Sequence, residues 1–258
     1  MAIARELCTC DYSYHILWPL FRAAGIRGAL RANENELLSR FIAPIISDGT
    51  RILIAGSADT ATLCTIGRMC GTHRPQFTVL DRCPAPLKLI QEFAAERNIP
   101  CRTLHADLTS YADDGCWDIV LAHYTFHFIP PEERFNVLER LTRSLAPGGK
   151  LVCVNKAVPQ ISAETASTST AAWLEKSWQK RQAAGLESVL PAPFYDQLLR
   201  QGAEAAVRRR IAISSAAELI DGMQRCGLTL IEEDVAARAS ADRLVADSSI
   251  ILAASRPS

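Results

Sequence analysis

The chain has 258 residues, 48% of them hydrophobic, with 28 Lys and Arg balanced against 28 Asp and Glu. That length and apolar content can fill one substantial core, and nothing forces a second domain. The even charge removes any global electrostatic case for binding nucleic acid or an anionic membrane, and the run Arg208-Arg209-Arg210 reads as a solvated helix face.

The opening residues Met1 to Glu6 contain no apolar h-region, and no run approaches the ~20 apolar residues that span a bilayer. The expectation is a soluble, cytoplasmic protein. Its nine cysteines then imply reduced thiols rather than a disulfide framework. Cys64 and Cys70 fall in an expected helix, and Cys101 and Cys153 in expected strands, as small hydrophobes would. Cys8 and Cys10 form the one close pair, in an N-terminal segment expected to be mobile, with a soft-metal or redox role as the alternative reading. No second Cys/His pair has zinc-finger spacing, so no structural metal is expected.

Residues 1 to 48 read as a helical cap. An aromatic segment, Tyr12 to Trp18, precedes an apolar stripe of Leu38, Phe41, Ile42 and Ile45 that Asp48-Gly49 ends. The aromatic segment suits either a helix packed on a sheet or a lid whose Tyr14, His15 or Trp18 faces a substrate. Next, Arg51 to Ala55 is a continuous apolar run, as in a strand covered on both faces. A helix follows from Thr60 to Cys70, with Leu63 and Ile66 inward and Asp59 near its start. Phe77 to Leu80 is a second strand ending at Asp81. Pro86 suits the first turn of a helix whose inner face is Leu87, Ile90 and Ala94. Arg102 to His105 is a third strand ending at Asp107, and Trp117 to Ala122 a fourth.

Pro131-Glu132-Glu133 opens another helix, with proline early and carboxylates where the helix dipole favours them. Ala146 to Lys150 stops it and delivers a fifth strand, Leu151 to Asn155. Residues 161 to 172 are rich in Ser, Thr and Ala, and Trp173 to Arg210 reads as a helical insertion able to cover a cleft. Ser215-x-x-Glu218 has the form of a capping box, opening a helix that stops at Cys226-Gly227. Leu228 to Glu232 and Ser249 to Ala253 are the last strands. The alternation defines a doubly wound, mostly parallel α/β fold in one domain: a cap (1–48), a core (49–157), an insertion (158–212) and a final helix with two strands (213–258).

Ligands of such sheets bind at the carboxyl ends of the strands, where strand order reverses. The small residues Ala55-Gly56-Ser57-Ala58 allow a ligand to approach the backbone closely, and Asp81 stands where a carboxylate can accept hydrogen bonds from both ribose hydroxyls. After the fourth strand, His123-Tyr124-Thr125-Phe126-His127 brings two imidazoles to the same edge.

Over Arg51 to Val154 and Ser215 to Ala254 the chain resembles class I S-adenosylmethionine-dependent methyltransferases. The resemblance implies a seven-stranded sheet with a reversed final hairpin. It implies that Gly56 is the first glycine of the cofactor motif, with Ala55, Ser57 and Ala58 beside it. Asp81 becomes the ribose-binding acid, with Arg82 next to it, and Asp107-Leu108 the pair that reads the adenine. Leu145 to Leu151 is similar to the family's turn before strand five. The family carries an acidic residue near the end of strand one, where this chain has Ile54. Ala58 and Thr60 replace its second and third glycines. G-x-G-x-x-G is absent from the first turn, which disfavours a nicotinamide dinucleotide.

The expected cofactor is therefore S-adenosylmethionine. Methyl transfer needs in-line placement of the acceptor and, for a hydroxyl or protonated amine, a general base. His123 is the first candidate for acceptor contact or base and for the cofactor pocket. Tyr124 could set its ring against the sulfonium, and His127 is a further candidate. The chain lacks the Asn/Asp-Pro-Pro-aromatic string of enzymes that act on DNA bases or protein amides. A small-molecule acceptor is expected, with no nucleic-acid or membrane partner; oligomeric state, a homodimer included, is left open. Two alternatives keep the fold: a lyase or cyclase that uses the bound cofactor without transferring methyl, and a catalytically inactive regulatory partner.

Overall fold

A computed structural model describes residues 2–10, 32–157, 216–238 and 247–257, together with positions 15, 19, 179, 182, 183, 185 and 196. Seven strands form one sheet in the order β3-β2-β1-β4-β5-β7-β6. They are β1 (Arg51–Ala55), β2 (Gln76–Asp81), β3 (Cys101–His105), β4 (Trp117–His123), β5 (Leu145–Ala157), β6 (Thr229–Arg238) and β7 (Asp247–Ser255). β1 to β5 run parallel, and β7 lies antiparallel between β5 and β6. The described helices are α1 (Ala2–Leu7), α2 (Ala32–Ile42), α3 (Ala61–Met69), α4 (Pro84–Glu96), α5 (Pro131–Ser144) and α6 (Ala216–Arg225). None of these is long and apolar enough to cross a membrane.

The β-period of two explains the double winding. Ile52 and Ile54 point to the face covered by Leu38, Phe41 and Ile42 of α2, Leu63 and Ile66 of α3, and Ile90 of α4. Leu53 and Ala55 point to the opposite face, where Val137, Leu138 and Leu141 of α5 meet Leu219 and Met223 of α6. A strand buried on both faces cannot alternate with polar residues, which is why the run Arg51–Ala55 reads as continuously apolar. Each fully buried aliphatic side chain contributes about 2 kcal/mol of transfer free energy.

Several expectations shift in detail. α4 starts at Pro84, after the extended Cys83, so Pro86 stands in its first turn as expected. β6 and β7 are longer than their apolar cores suggest, since the pairing continues to Arg238↔Asp247. Cys70 and Cys153 are buried, whereas Cys64 and Cys101 are partly exposed. Ser215 lies outside the described residues. Glu218, in the first turn of α6, accepts a 2.5 Å hydrogen bond from Arg134 of α5, a guanidinium that is 5% exposed and also donates to the Ile129 carbonyl. The segment proposed as an insertion falls outside the described residues apart from the isolated positions named above.

Candidate functional site: the β1–β4 switch point

β1 pairs with β2 on one side and β4 on the other, so the chain reverses its direction of winding between β1 and β4. The loops that follow these strands line the crevice expected to hold a ligand. The register Ile54↔Leu121 carries forward two residues to set His123 level with Gly56.

Gly56 builds the first wall. Its φ of +85° lies in the left-handed region, and its N–H donates to the Leu80 carbonyl at 2.7 Å. A Cβ there would sit 3.0 Å from both Cγ2 and Oγ1 of Thr125. Thr125 is itself fixed by a 2.6 Å hydrogen bond to the Ala55 carbonyl, so the β1 and β4 loops are tied together across the switch point. Thr125 was not a candidate in the sequence, since a lone threonine carries no spacing signal. Gly56→Ala is expected to cost about 1–2 kcal/mol of stability from the backbone conformation and the crowding. It should also weaken nucleoside binding; calorimetry beside a melting curve separates the two losses.

Asp81 closes β2, and both of its oxygens are engaged. The Ser57 N–H donates to Oδ2 at 3.0 Å and the Cys83 N–H to Oδ1 at 2.8 Å. Each carboxylate oxygen keeps a further lone pair for a ligand hydroxyl. Burial pushes the Asp81 carboxyl above the usual carboxylate range, while the Cys83 and Ser57 N–H groups and the nearby His15 pull it down. Arg82 is exposed, and its carbonyl contacts His105 Nε2 at 3.0 Å. Beyond β3, Asp107 accepts from the Thr109 N–H and hydroxyl with Oδ1 alone. Among the described residues no hydrogen bond reaches its Oδ2. Leu108 is almost fully buried in the core beside it.

The remaining candidates separate. Ala55 has no accessible surface and its carbonyl is taken by Thr125, whereas Ala58 is partly exposed. Ile54 is fully buried in the α2–α4 core, so a carboxylate at that position would not face the crevice in this structure. Asp59 is also buried; its carboxylate takes the Ala61 N–H at 2.8 Å and so starts α3. His123 is the last residue of β4. Its Nδ1 lies 3.4 Å from Thr62 Oγ1, and Tyr124 meets the imidazole edge-on at 4.5 Å. Tyr124 has φ +55°, an uncommon state for a bulky residue, and its N–H donates to the Val154 carbonyl at 2.7 Å. Such strain clusters at ligand-binding loops. His127 stands in the 3-10 turn Phe126–Phe128. Tyr14 and Trp18 lie outside the described residues. His15 is described, with Nε2 3.2 Å from Cys10 Sγ.

Comparison with known proteins adds to this geometry. A family profile described as a methyltransferase domain matches residues 52–149. Among curated proteins, a carboxy-S-adenosyl-L-methionine synthase from Geobacter metallireducens is 30% identical over 103 residues, which cover 36% of this chain and 42% of that protein. The chain thus spans less than half the length of the curated relatives it matches. Among solved structures, a putative methyltransferase from Bacillus halodurans superimposes with a TM-score of 0.59 at 12% identity, covering 88% of this chain and all of the other. The N-methyltransferase NodS from Bradyrhizobium japonicum, in complex with S-adenosyl-L-homocysteine, gives 0.58 at 15% identity over 100% and 97% of the two chains.

Proposed function

We propose that this chain, whose residues 52–149 match a methyltransferase-domain profile, transfers the methyl group of S-adenosylmethionine to a small-molecule acceptor. The observation that carries the reading is the Asp81 carboxylate, fixed by two backbone N–H groups beside the left-handed Gly56 turn at the switch point. That arrangement fits a ribose: the hydroxyls donate to the carboxylate, and the absent Cβ of Gly56 leaves room for the ligand against the backbone. Asp107 Oδ2 then suits an exocyclic adenine amine. S-adenosylmethionine, when bound, supplies an activated methyl on a sulfonium.

The protein's own part is to orient the acceptor and exclude water. His123 stands level with Gly56 and is the group best placed to contact the acceptor or take its proton, and Tyr124 offers an aromatic ring beside it. The balanced charge of the chain favours a neutral or small acceptor over a polyanion. The oligomeric state stays outside the proposal.

A second reading is favoured by the curated relatives, which are named for making carboxy-S-adenosyl-L-methionine. In that reading the bound nucleoside is itself the molecule that is altered. Product analysis separates the two. Methyl transfer releases S-adenosylhomocysteine in step with a methylated acceptor. The alternative returns a nucleoside heavier by a carboxylate and no S-adenosylhomocysteine.

A further inference from the structure

Cys8 and Cys10 do not stand apart from the fold. Cys8 Sγ lies 3.7 Å from Cys10 Sγ and 3.6 Å from Cys83 Sγ, and Cys10 Sγ lies 3.2 Å from His15 Nε2. All four ligand atoms fall within 4.8 Å of one another. We propose that Cys8, Cys10, His15 and Cys83 bind one zinc ion that fastens the N-terminal segment beside the ribose-binding carboxylate.

The distances match the chemistry. A zinc–sulfur bond of about 2.3 Å puts two sulfurs at adjacent corners of a tetrahedron about 3.8 Å apart, and a sulfur and an imidazole nitrogen about 3.6 Å apart. The three contacts of 3.7, 3.6 and 3.2 Å lie near those edges, and a separation of 4.8 Å, the outer bound for the set, closes by about 1 Å on binding. Three sulfurs and an imidazole from segments 75 residues apart converge here, whereas Cys70 donates to the Ile66 carbonyl and Cys116 to Asp113. Three thiolates with one imidazole make a closed, soft set that selects zinc over hard cations and leaves no open position for catalysis. Binding releases the thiol protons to solvent and involves no change of oxidation state.

The position gives the site a purpose. Cys83 is the buried cap of α4, two residues after Asp81, and its N–H holds Asp81 Oδ1. α1 packs on α4. An ion joining Cys83 to Cys8, Cys10 and His15 therefore anchors the chain start to the wall that orients the ribose. The sequence hid this because one ligand is remote and Cys-x-Cys is tighter than zinc-finger spacing.

The test uses the full-length protein, purified without chelator, and does not depend on which reaction it catalyses. Elemental analysis should find one zinc per chain, and cobalt(II) should give thiolate-to-metal charge-transfer absorption. Cys10→Ser, at an exposed position that folding tolerates, should lower zinc affinity by more than the ~10–100-fold typical of losing an outer partner; His15→Asn should do likewise, and Cys101→Ser should not. Removing zinc should speed amide exchange over Ile3 to Cys10. Zinc well below one per chain overturns the site, as does copper in its place, full affinity in Cys10→Ser, or a Cys8–Cys83 or Cys8–Cys10 disulfide in the purified protein. Unchanged exchange on zinc removal overturns the fastening role.

Discussion

Asp81→Ala is expected to weaken binding of S-adenosylhomocysteine by about two to four orders of magnitude. Two hydrogen bonds from ribose hydroxyls to a charged acceptor contribute roughly 1.5–3 kcal/mol each, and 1.4 kcal/mol is about tenfold. The same carboxylate also holds the Ser57 and Cys83 N–H groups, so part of any loss could come from a disordered loop. A second variant resolves that. Asp107→Ala removes a carboxylate whose Oδ1 serves only its own turn, and it should weaken binding by about tenfold while leaving the β2 end intact. Titration calorimetry on both variants checks the pair. If Asp81→Ala binds the nucleoside as tightly as the parent, the carboxylate is only a cap for Ser57 and Cys83.

Gly149→Ala is the substitution with the largest expected effect on stability. A Cβ at Gly149 would lie 2.8 Å from the carbonyl oxygens of Ala146 and Trp117 and 3.2 Å from the Ala146 nitrogen. These are backbone atoms, and they sit where β5 begins to pair with β4. No side chain can swing aside, so a strand must move. Overpacking of this kind costs about 3 kcal/mol, which lowers the melting temperature by roughly 6–12 °C for a chain of this size. Gly67→Ala supplies the contrast. Gly67 lies within α3 with nothing within 4 Å of its Cβ position. That change should raise stability by up to about 1 kcal/mol, because alanine is the better helix former. A Gly149→Ala protein that melts with the parent would show that the β4–β5 start is soft.

The centre of the sheet was legible because β1, β2 and β4 are buried on both faces, and an apolar run such as Ile52-Leu53-Ile54-Ala55 has few other meanings. Gly56 and Asp81 were legible because a glycine turn and a strand-end acid have spacing rules. Gly149 shared that advantage, since Pro147-Gly148-Gly149 marks a turn even before its crowding is seen. Other parts of the site carry no such rule. Thr125 matters through a hydrogen bond to Ala55, 70 residues away. Tyr124 matters through a φ that composition cannot reveal. Glu218 is singled out in the sequence by its capping-box spacing, and its carboxylate also meets Arg134, a long-range pairing that local pattern does not encode. Ile54 looked like a lost cofactor contact, but the register turns it into the core. The cysteine pair gained meaning only when the fold placed Cys83 beside it.

The central claim is that the β1–β4 switch point is a nucleoside cleft for a sulfonium cofactor. Titrating the purified full-length chain with S-adenosylmethionine and with S-adenosylhomocysteine tests it most directly. The account predicts saturable binding of both, with one site per chain and competition between them. A chain that binds neither nucleoside, with its fold intact by circular dichroism, would contradict it.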